Sequence, residues 1–265
     1  VTSYAGSEPA CFKTYTAKVL GKEPFHPETF ILPNERDAFL ARAAACKRAG
    51  DPTYWVGKPQ NSYAGKGITL VPTAQATAVA GPAWKGNAGQ RKKFSVVQRY
   101  VERPLLVGGY KSHMRVYMLV TQMSPSVRAY VHKEACVMFT TLPYTLDAGG
   151  MGPMKFEPRV HLTNFDVNAS PKNLLNYVAD KPVIGTGSLW PMNRFEAWLG
   201  ENRPDVDVDA MWRQIRLIGR SCAESIGQHP SVKRLSSDYS SGTPLCNELF
   251  GIYVMLDDYG KVWML

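Results

Sequence analysis

Along His113–Thr121 the side chains alternate strictly, with Met114, Val116, Met118 and Val120 on one side of the chain and His113, Arg115, Tyr117 and Leu119 on the other. Successive side chains of a strand point to opposite faces, so this segment is a strand whose apolar face needs a cover and whose other face projects His113 and Arg115 together. Val127–Lys133 reads as the next antiparallel strand. Tyr54–Lys58 and Ile68–Val71 are two more, joined by the polar loop Pro59–Gly67 with its Gly65 and Gly67 and a cationic tip. Val96–Val101 is another strand, and Glu248–Leu256 and Lys261–Leu265 flank Asp257–Gly260 as a hairpin.

Two helices are written in the pattern. After Pro33, Asn34 is the expected N-cap, Asp37 falls in the first turn, Phe39, Ala43 and Cys46 share a face, and Lys47 and Arg48 precede Gly50. The longer helix, Asp209–Ile226, sets Met211, Ile215, Ile218, Cys222 and Ile226 on one stripe, with Arg213, Arg216, Arg220 and Glu224 away from it. That stripe reads as core. Thr73–Lys93, rich in Ala, Gly, Gln and Lys, has no sustained period and reads as a mobile basic insertion. Gly149–Met154 is a Gly- and Met-rich loop followed by a largely irregular stretch to Gly187, and no internal repeat is present.

The chain of 265 residues, 45% hydrophobic and 20% charged, suits one large or two small domains. No apolar run reaches the ~20 residues of a membrane span, and Val1–Pro24 lacks a signal-peptide core, which points to the cytoplasm. The start at Val1 and the apolar end, Val262–Leu265, read as a fragment at both ends. Five cysteines, Cys11, Cys46, Cys136, Cys222 and Cys246, form no C-x-x-C pair and read as reduced thiols. A net charge of +9 favours an acidic partner: nucleic acid, an anionic membrane or an acidic protein tail. No basic cluster alternates with aromatics as a single-strand platform would, which disfavours nucleic acid.

Common catalytic patterns are missing: there is no H-E-x-x-H, no G-x-S-x-G, and Gly65-Lys66-Gly67 lacks the Ser/Thr of a Walker loop. Asn168-Ala-Ser170 is formally a glycosylation sequon, read as a chance match without a secretory signal. What remains is Lys58 on a strand before a glycine loop, which supplies the cation and backbone N–H groups that a polyphosphate needs. By itself that is also ordinary surface-hairpin chemistry. A second segment adds weight: Gln98-Arg99-Tyr100-Val101-Glu102-Arg103-Pro104-Leu105-Leu106, with Lys111 and Arg115 beyond it.

Here the sequence resembles the tubulin–tyrosine ligase-like family over nearly the whole chain. The resemblance is carried by Phe30-Ile31-Leu32-Pro33, Trp55-Val56-Gly57-Lys58-Pro59, Gly65-Lys66-Gly67-Ile68, the Gln98–Leu106 run, His161-Leu162-Thr163-Asn164 with Val167-Asn168, and a closing Leu249-Phe250-Gly251 hairpin. It implies an α+β ATP-grasp fold with ATP held between two α+β subdomains. The parts would be 1–50 as the remnant of an N-terminal subdomain, 51–100 as the central subdomain and 101–265 as an incomplete C-terminal one. It implies an ATP-dependent ligase that activates a carboxylate as an acylphosphate and joins Glu, Tyr or Gly to tubulin or another acidic protein tail, without DNA or membrane partners. The implied place is the cytoplasmic microtubule cytoskeleton, cilium or basal body included, and the +9 charge fits an acidic tail.

Carried over by position, Lys58 meets the α/β-phosphates beside Gly65, Lys66 and Gly67, and Gln98, Arg99, Tyr100 and Val101 form the adenine hinge. Lys111 reaches the ribose or phosphate side, with His113 and Thr163 also toward ATP. Arg115 faces the reacting carboxyl and γ-phosphate, and His161 to Asn164 line the phosphate and acceptor side, with His161 and Asn164 among the catalytic candidates.

The chain departs from the family's pattern where charge matters most. His113 stands where active members have Asp, Ala64 where a basic residue is frequent (Lys66 can substitute), Met138 where an Arg is expected, and Tyr253 where an Asp binds Mg²⁺. Imidazole does not replace a carboxylate's charge, and hard Mg²⁺ prefers carboxylate oxygen. Asp257 shares the strand face of Tyr253 but lies ~13 Å along it at strand rise, too far to stand in. The family's Glu-x-Asn would fall beyond Leu265, so no metal ligand is assigned. Two readings stay open: a ligase, or a pseudoligase that binds tubulin and nucleotide without transfer.

Overall fold

The structure, a computed structural model, describes residues 12–51, 53–60, 65–76, 80, 94–123, 126–146, 157–168, 189–230, 232 and 247–265. The Gly149–Met154 loop and most of Thr73–Lys93 lie outside them; Thr73–Gln75 forms a 3₁₀ turn.

Two antiparallel sheets carry the architecture. The first has the order β1-β4-β2-β3, from β1 (Thr29–Ile31), β2 (Tyr54–Pro59), β3 (Thr69–Pro72) and β4 (Phe94–Arg99). Helix α2 (Arg36–Arg48), which follows α1 (Lys13–Leu20), covers its back. There Phe39 meets Trp55 edge-on at 5.2 Å between ring centroids, with Ala43, Cys46, Val71 and Val97 packed around them. The α2 stripe is the one expected, but the helix starts at Arg36 with Glu35, not Asn34, at the N-cap. The Glu35 carboxylate turns back to accept from the Ile31 N–H at 2.5 Å and so ties the helix entry to β1.

The second sheet runs β10-β9-β6-β7-β8, with β5 (Leu106–Val107) paired to β6 (Tyr110–Gln122). Its other members are β7 (Arg128–Phe139), β8 (Leu189–Pro191), β9 (Glu248–Leu256) and β10 (Val262–Met264). The alternation read from sequence holds in β6: Met114, Val116, Met118 and Val120 are essentially inaccessible. Three unexpected helices lie between these strands: α3 (Pro158–His161), α4 (Phe165–Asn168) and α5 (Met192–Asn202). The predicted long helix is α6 (Val208–Gln228), capped by Asp207, whose side chain accepts from the Ala210 N–H at 2.9 Å.

The buried stripe of α6, Met211, Ile215, Ile218, Cys222 and Ile226, joins Met118, Val120 and Val254 in the larger core. Gly219 lets α6 approach β7 closely, since a Cβ there would lie 2.5 Å from Val131 Cγ2. No described helix is long and apolar enough to cross a membrane. Cys46, Cys136 and Cys222 are free thiols; Cys11 and Cys246 lie outside the described residues.

Candidate functional site

The open face of the first sheet supplies one wall of a cleft. In the β2–β4 register Val56 is opposite Gln98 and Lys58 opposite Val96, so Lys58 and Gln98 share a face. Lys58 Nζ donates to Gln98 Oε1 at 2.6 Å, Gln98 Nε2 donates to Thr29 Oγ1 at 2.9 Å, and Thr29 Oγ1 donates to the Pro27 carbonyl at 2.7 Å. This relay fixes the amide of Gln98 with its oxygen toward the lysine. Burial, with repulsion from Lys13 behind it, lowers the Lys58 ammonium to about 8. Lys13 comes from α1; its Nζ donates to the Gln60 carbonyl at 3.3 Å, while Gln60 Nε2 donates to Thr14 Oγ1 at 2.8 Å, so α1 is fastened to the end of β2.

The second wall rises from β6. Lys111, 5% exposed, donates from Nζ to Tyr100 Oη at 2.8 Å and to the His161 carbonyl at 3.0 Å, and lies 4.2 Å from the centroid of the Tyr100 ring. Burial and then repulsion from Lys58 bring its ammonium down to about 7. Tyr100 Oη, which accepts from Lys111, also shares a hydrogen bond with His161 Nδ1 at 3.2 Å. Two residues along β6, His113 hydrogen-bonds through Nδ1 to Thr163 Oγ1, and its Nε2 is buried without a protein partner. Burial, followed by repulsion from Lys111 and Arg115, lowers His113 to about 3, so the imidazole is neutral at physiological pH.

A short segment closes the cleft from a third side. Asn168 Oδ1 accepts from the N–H and hydroxyl of Thr141 at 2.8 and 2.9 Å, and its Nδ2 donates to the carbonyls of Leu162 and Asn164 at 2.7 and 3.0 Å. The 3% exposed amide buckles this segment to the stretch just after β7, and its nitrogen, buried and donating to two carbonyls, is not open to a glycan. Gly65 rests against it: a Cβ would meet Val167, Leu162 and Asn164 at 3.0–3.2 Å, and both Gly65 and Gly67 hold positive φ, 75° and 74°.

The resulting cleft encloses about 390 Å³. It brings together Lys58, Gly65, Gln98, Arg99, Tyr100, Val101, Lys111, His113, His161, Thr163 and Asn164 from the sequence-derived set. Lys66, Gly67 and Arg115 are not among the lining residues. Arg115 leaves the same face of β6 as His113, but its guanidinium sits 5.7 and 5.5 Å from the Tyr117 and Tyr253 ring centroids, in space left by Gly251. Arg99 contributes backbone only; its side chain turns away to Asp51 and Thr53, each at 3.3 Å. The apolar walls Val56 and Met255, and the cation Lys13, were not among the sequence candidates, whereas Leu162 falls within the expected His161 to Asn164 stretch. Val56 was legible as a strand neighbour of Lys58, whereas Lys13 lies on a helix with no recognisable apolar period.

A magnesium ion does not fit this lining. Among the described residues no Asp or Glu side chain lines the cleft, and no group of three His, Cys, Asp or Glu could hold a metal. Tyr253 occupies the wall, its ring 5.2 Å from that of His113. The carboxylate of Asp257 is committed elsewhere: Oδ1 accepts from the N–H groups of Tyr259 and Lys261, each at 2.9 Å, and Oδ2 from Trp263 Nε1 at 2.8 Å. An adenine nucleotide does fit: apolar walls for a flat base, and desolvated ammonium groups on two sides for an anion.

Residues 8–265 match the model of the tubulin-tyrosine ligase family. Similar curated proteins include a human probable tubulin polyglutamylase TTLL2, 29% identical over 91% of this chain and 35% of its own length. The human tubulin monoglutamylase TTLL4 is 30% identical over 91% of this chain and 18% of its own length, and the human tubulin polyglutamylase TTLL5 is 27% identical over 92% and 17%. The chain thus spans well under half the length of these relatives.

Proposed function

The chain belongs to the tubulin-tyrosine ligase family of ATP-grasp proteins, and we propose that it binds ATP between its two sheets and serves an amino-acid ligase acting on the acidic tail of tubulin. Glutamate is the amino acid that the names of its relatives favour. The observation that carries the nucleotide reading is the pair of desolvated lysines, Lys58 and Lys111, converging on one cleft that no acidic side chain lines among the described residues. Buried cations without counter-charge are unfavourable, and an anionic ligand removes the penalty. In the ligase reading these lysines hold the phosphates while the terminal phosphoryl group passes to a carboxylate. An amine then displaces phosphate from the acylphosphate, forming the amide. The net positive charge draws an acidic tail and works at the microtubule cytoskeleton.

A second reading, binding of nucleotide and tubulin without transfer, is favoured by the neutral His113 and by Tyr253 in the cleft wall. One experiment separates them: the full-length protein is incubated with ATP, tubulin and labelled Glu, Tyr or Gly. Incorporation of one label supports the ligase. Nucleotide binding and salt-sensitive co-sedimentation with microtubules, but no label, supports the second reading; failure to bind nucleotide removes both.

A further inference from the structure

We propose that the groove between β7 and α6 docks an extended acidic segment of a partner protein, which adds a short strand to the second sheet. One edge of β7 is paired with β6 from Arg128 to Phe139. The other is paired with β8 at Cys136–Met138. β8 ends at Pro191 and the chain turns at Met192 into α5, so this strand does not continue along β7. From Arg128 to Val131 the outer edge of β7 therefore has no strand partner among the described residues. The β6 register jumps from Val116 opposite Ala135 to Met118 opposite Val131, which bulges His132–Glu134 outward and bounds the open stretch at one end. An open edge presents backbone N–H and C=O groups that another extended polypeptide matches in a ladder.

Beside that edge lies a groove of about 560 Å³ whose floor is the half-buried apolar face of β7, Val127, Ala129 and Val131. Helix α6 runs lengthwise along it. A Cβ on Gly219 would lie 2.5 Å from Val131 Cγ2, and one on Gly227 2.6 Å from Val127 Cγ2. The step from Gly219 to Gly227 rises ~12 Å along the helix and that from Val131 to Val127 ~13 Å along the strand, so the two axes lie nearly side by side. The helix brings Arg216 and Arg220, both exposed, to the groove. Glu224 accepts from Arg220 at 2.8 Å, an exposed pair of little strength, while Arg216 has no counter-charge among the described residues. Four residues apart, the two arginines are separated by ~6 Å along the helix, and same-side residues of an extended strand repeat at ~6.6 Å. Acidic residues at every second position of a strand laid on β7 thus reach both guanidinium groups, and the side chains between them fall on the face of Tyr130, which is 57% exposed. A basic segment is repelled by Arg216, and a nucleic acid supplies phosphates but no backbone ladder for the edge. The groove is also apart from the cleft: Leu119, opposite Tyr130, lies six positions along β6 from His113, ~20 Å at strand rise. A partner is therefore held there while the cleft is occupied, and the inference does not depend on the nucleotide reading.

The test is fluorescence anisotropy of the full-length protein with a short labelled peptide alternating Glu and Thr. Two further versions are N-methylated, one at each alternate set of backbone amides. The parent peptide should bind, and the same peptide with Lys for Glu should not. Methylation of the set that faces β7 should abolish binding and methylation of the other set should leave it, a contrast that charge attraction alone does not produce. Arg216→Glu, at an exposed site, should weaken binding about tenfold without lowering the melting temperature. No binding of the parent peptide overturns the inference, as does binding indifferent to both methylated sets or to Arg216→Glu. Displacement of the peptide by excess ATP places it on Lys58 and Lys111 instead and also overturns the inference, leaving the nucleotide reading intact. A single-stranded oligonucleotide that binds more tightly and displaces the peptide overturns it in favour of a phosphate backbone.

Discussion

If Lys58 and Lys111 are the phosphate-binding cations, nucleotide affinity must depend on pH in a range where the nucleotide's phosphates are already ionised. In the unliganded cleft burial holds the two ammonium groups at about 8 and about 7. A bound polyanion favours the charged forms and raises both values, so between pH 7 and 8.5 binding takes up protons and affinity falls as pH rises. With those starting values, Lys111 retains about 3% and Lys58 about 25% of its ammonium form at pH 8.5, and the dissociation constant rises some ten- to hundredfold over the interval. Isothermal titration calorimetry of ATP, repeated in buffers of different ionisation enthalpy, reads both the affinity and the proton uptake. Flat affinity with no proton exchange would refute the assignment of these lysines. Lys111→Arg, charged throughout, should flatten the part of the profile that Lys111 supplies.

The unliganded protein should behave in the opposite sense, because the unfolded chain binds a proton at Lys111 up to its ordinary value of 10.5 and the folded chain only to about 7. Stability therefore rises between pH 7 and 9, and Lys111→Met removes Lys111's part of that slope in thermal melts, leaving the part that Lys58 supplies. Gly65→Ala places a Cβ within 3.2 Å of Val167, Leu162 and Asn164 at a φ of 75°. It should cost about 1–2 kcal/mol of local stability and weaken nucleotide binding with little change in the melting temperature. Asp257→Ala strips two backbone N–H groups and the Trp263 indole of their acceptor. It should destabilise by about 2–4 kcal/mol in denaturant titrations while the folded fraction still binds nucleotide; loss of binding at full stability would give Asp257 a ligand role after all.

The parts legible from the residues themselves are those with a short-range code. Alternation in β6 and the stripe of α6 named residues that meet in the larger core, and the strand and glycine-loop pattern named Lys58 and Gly65, whereas most of the cleft lining was named only through the family resemblance. The helices α1 and α5 were illegible for different reasons. The apolar positions of α1 are few, with only Ala17 and Leu20 buried, while α5 follows directly on Pro191 in a stretch without an obvious start signal. Sequence spacing placed Arg115 with His113 on one face, which is correct, but could not show that the Gly251 gap draws the guanidinium away between Tyr117 and Tyr253. Nor does a single sequence show that Asp257 spends its whole carboxylate on the β9–β10 turn, a fact that only the three-dimensional hydrogen bonds supply.

His113 and Tyr253 bring an imidazole and a phenol to the cleft, ring to ring at 5.2 Å. In the cleft they adjoin three lysines, two of which burial has already pushed toward neutrality. Placing a buried carboxylate at His113 would give Lys111 a counter-ion within the protein, raise its ammonium toward the ordinary range, and satisfy the charge that otherwise waits for a ligand. A site so neutralised binds a polyanion less well. The neutral side chains at 113 and 253 therefore keep the cleft's positive charge available to an anion, and His113→Asp should weaken nucleotide binding in titrations; unchanged or tighter binding would count against the two lysines as its phosphate cations.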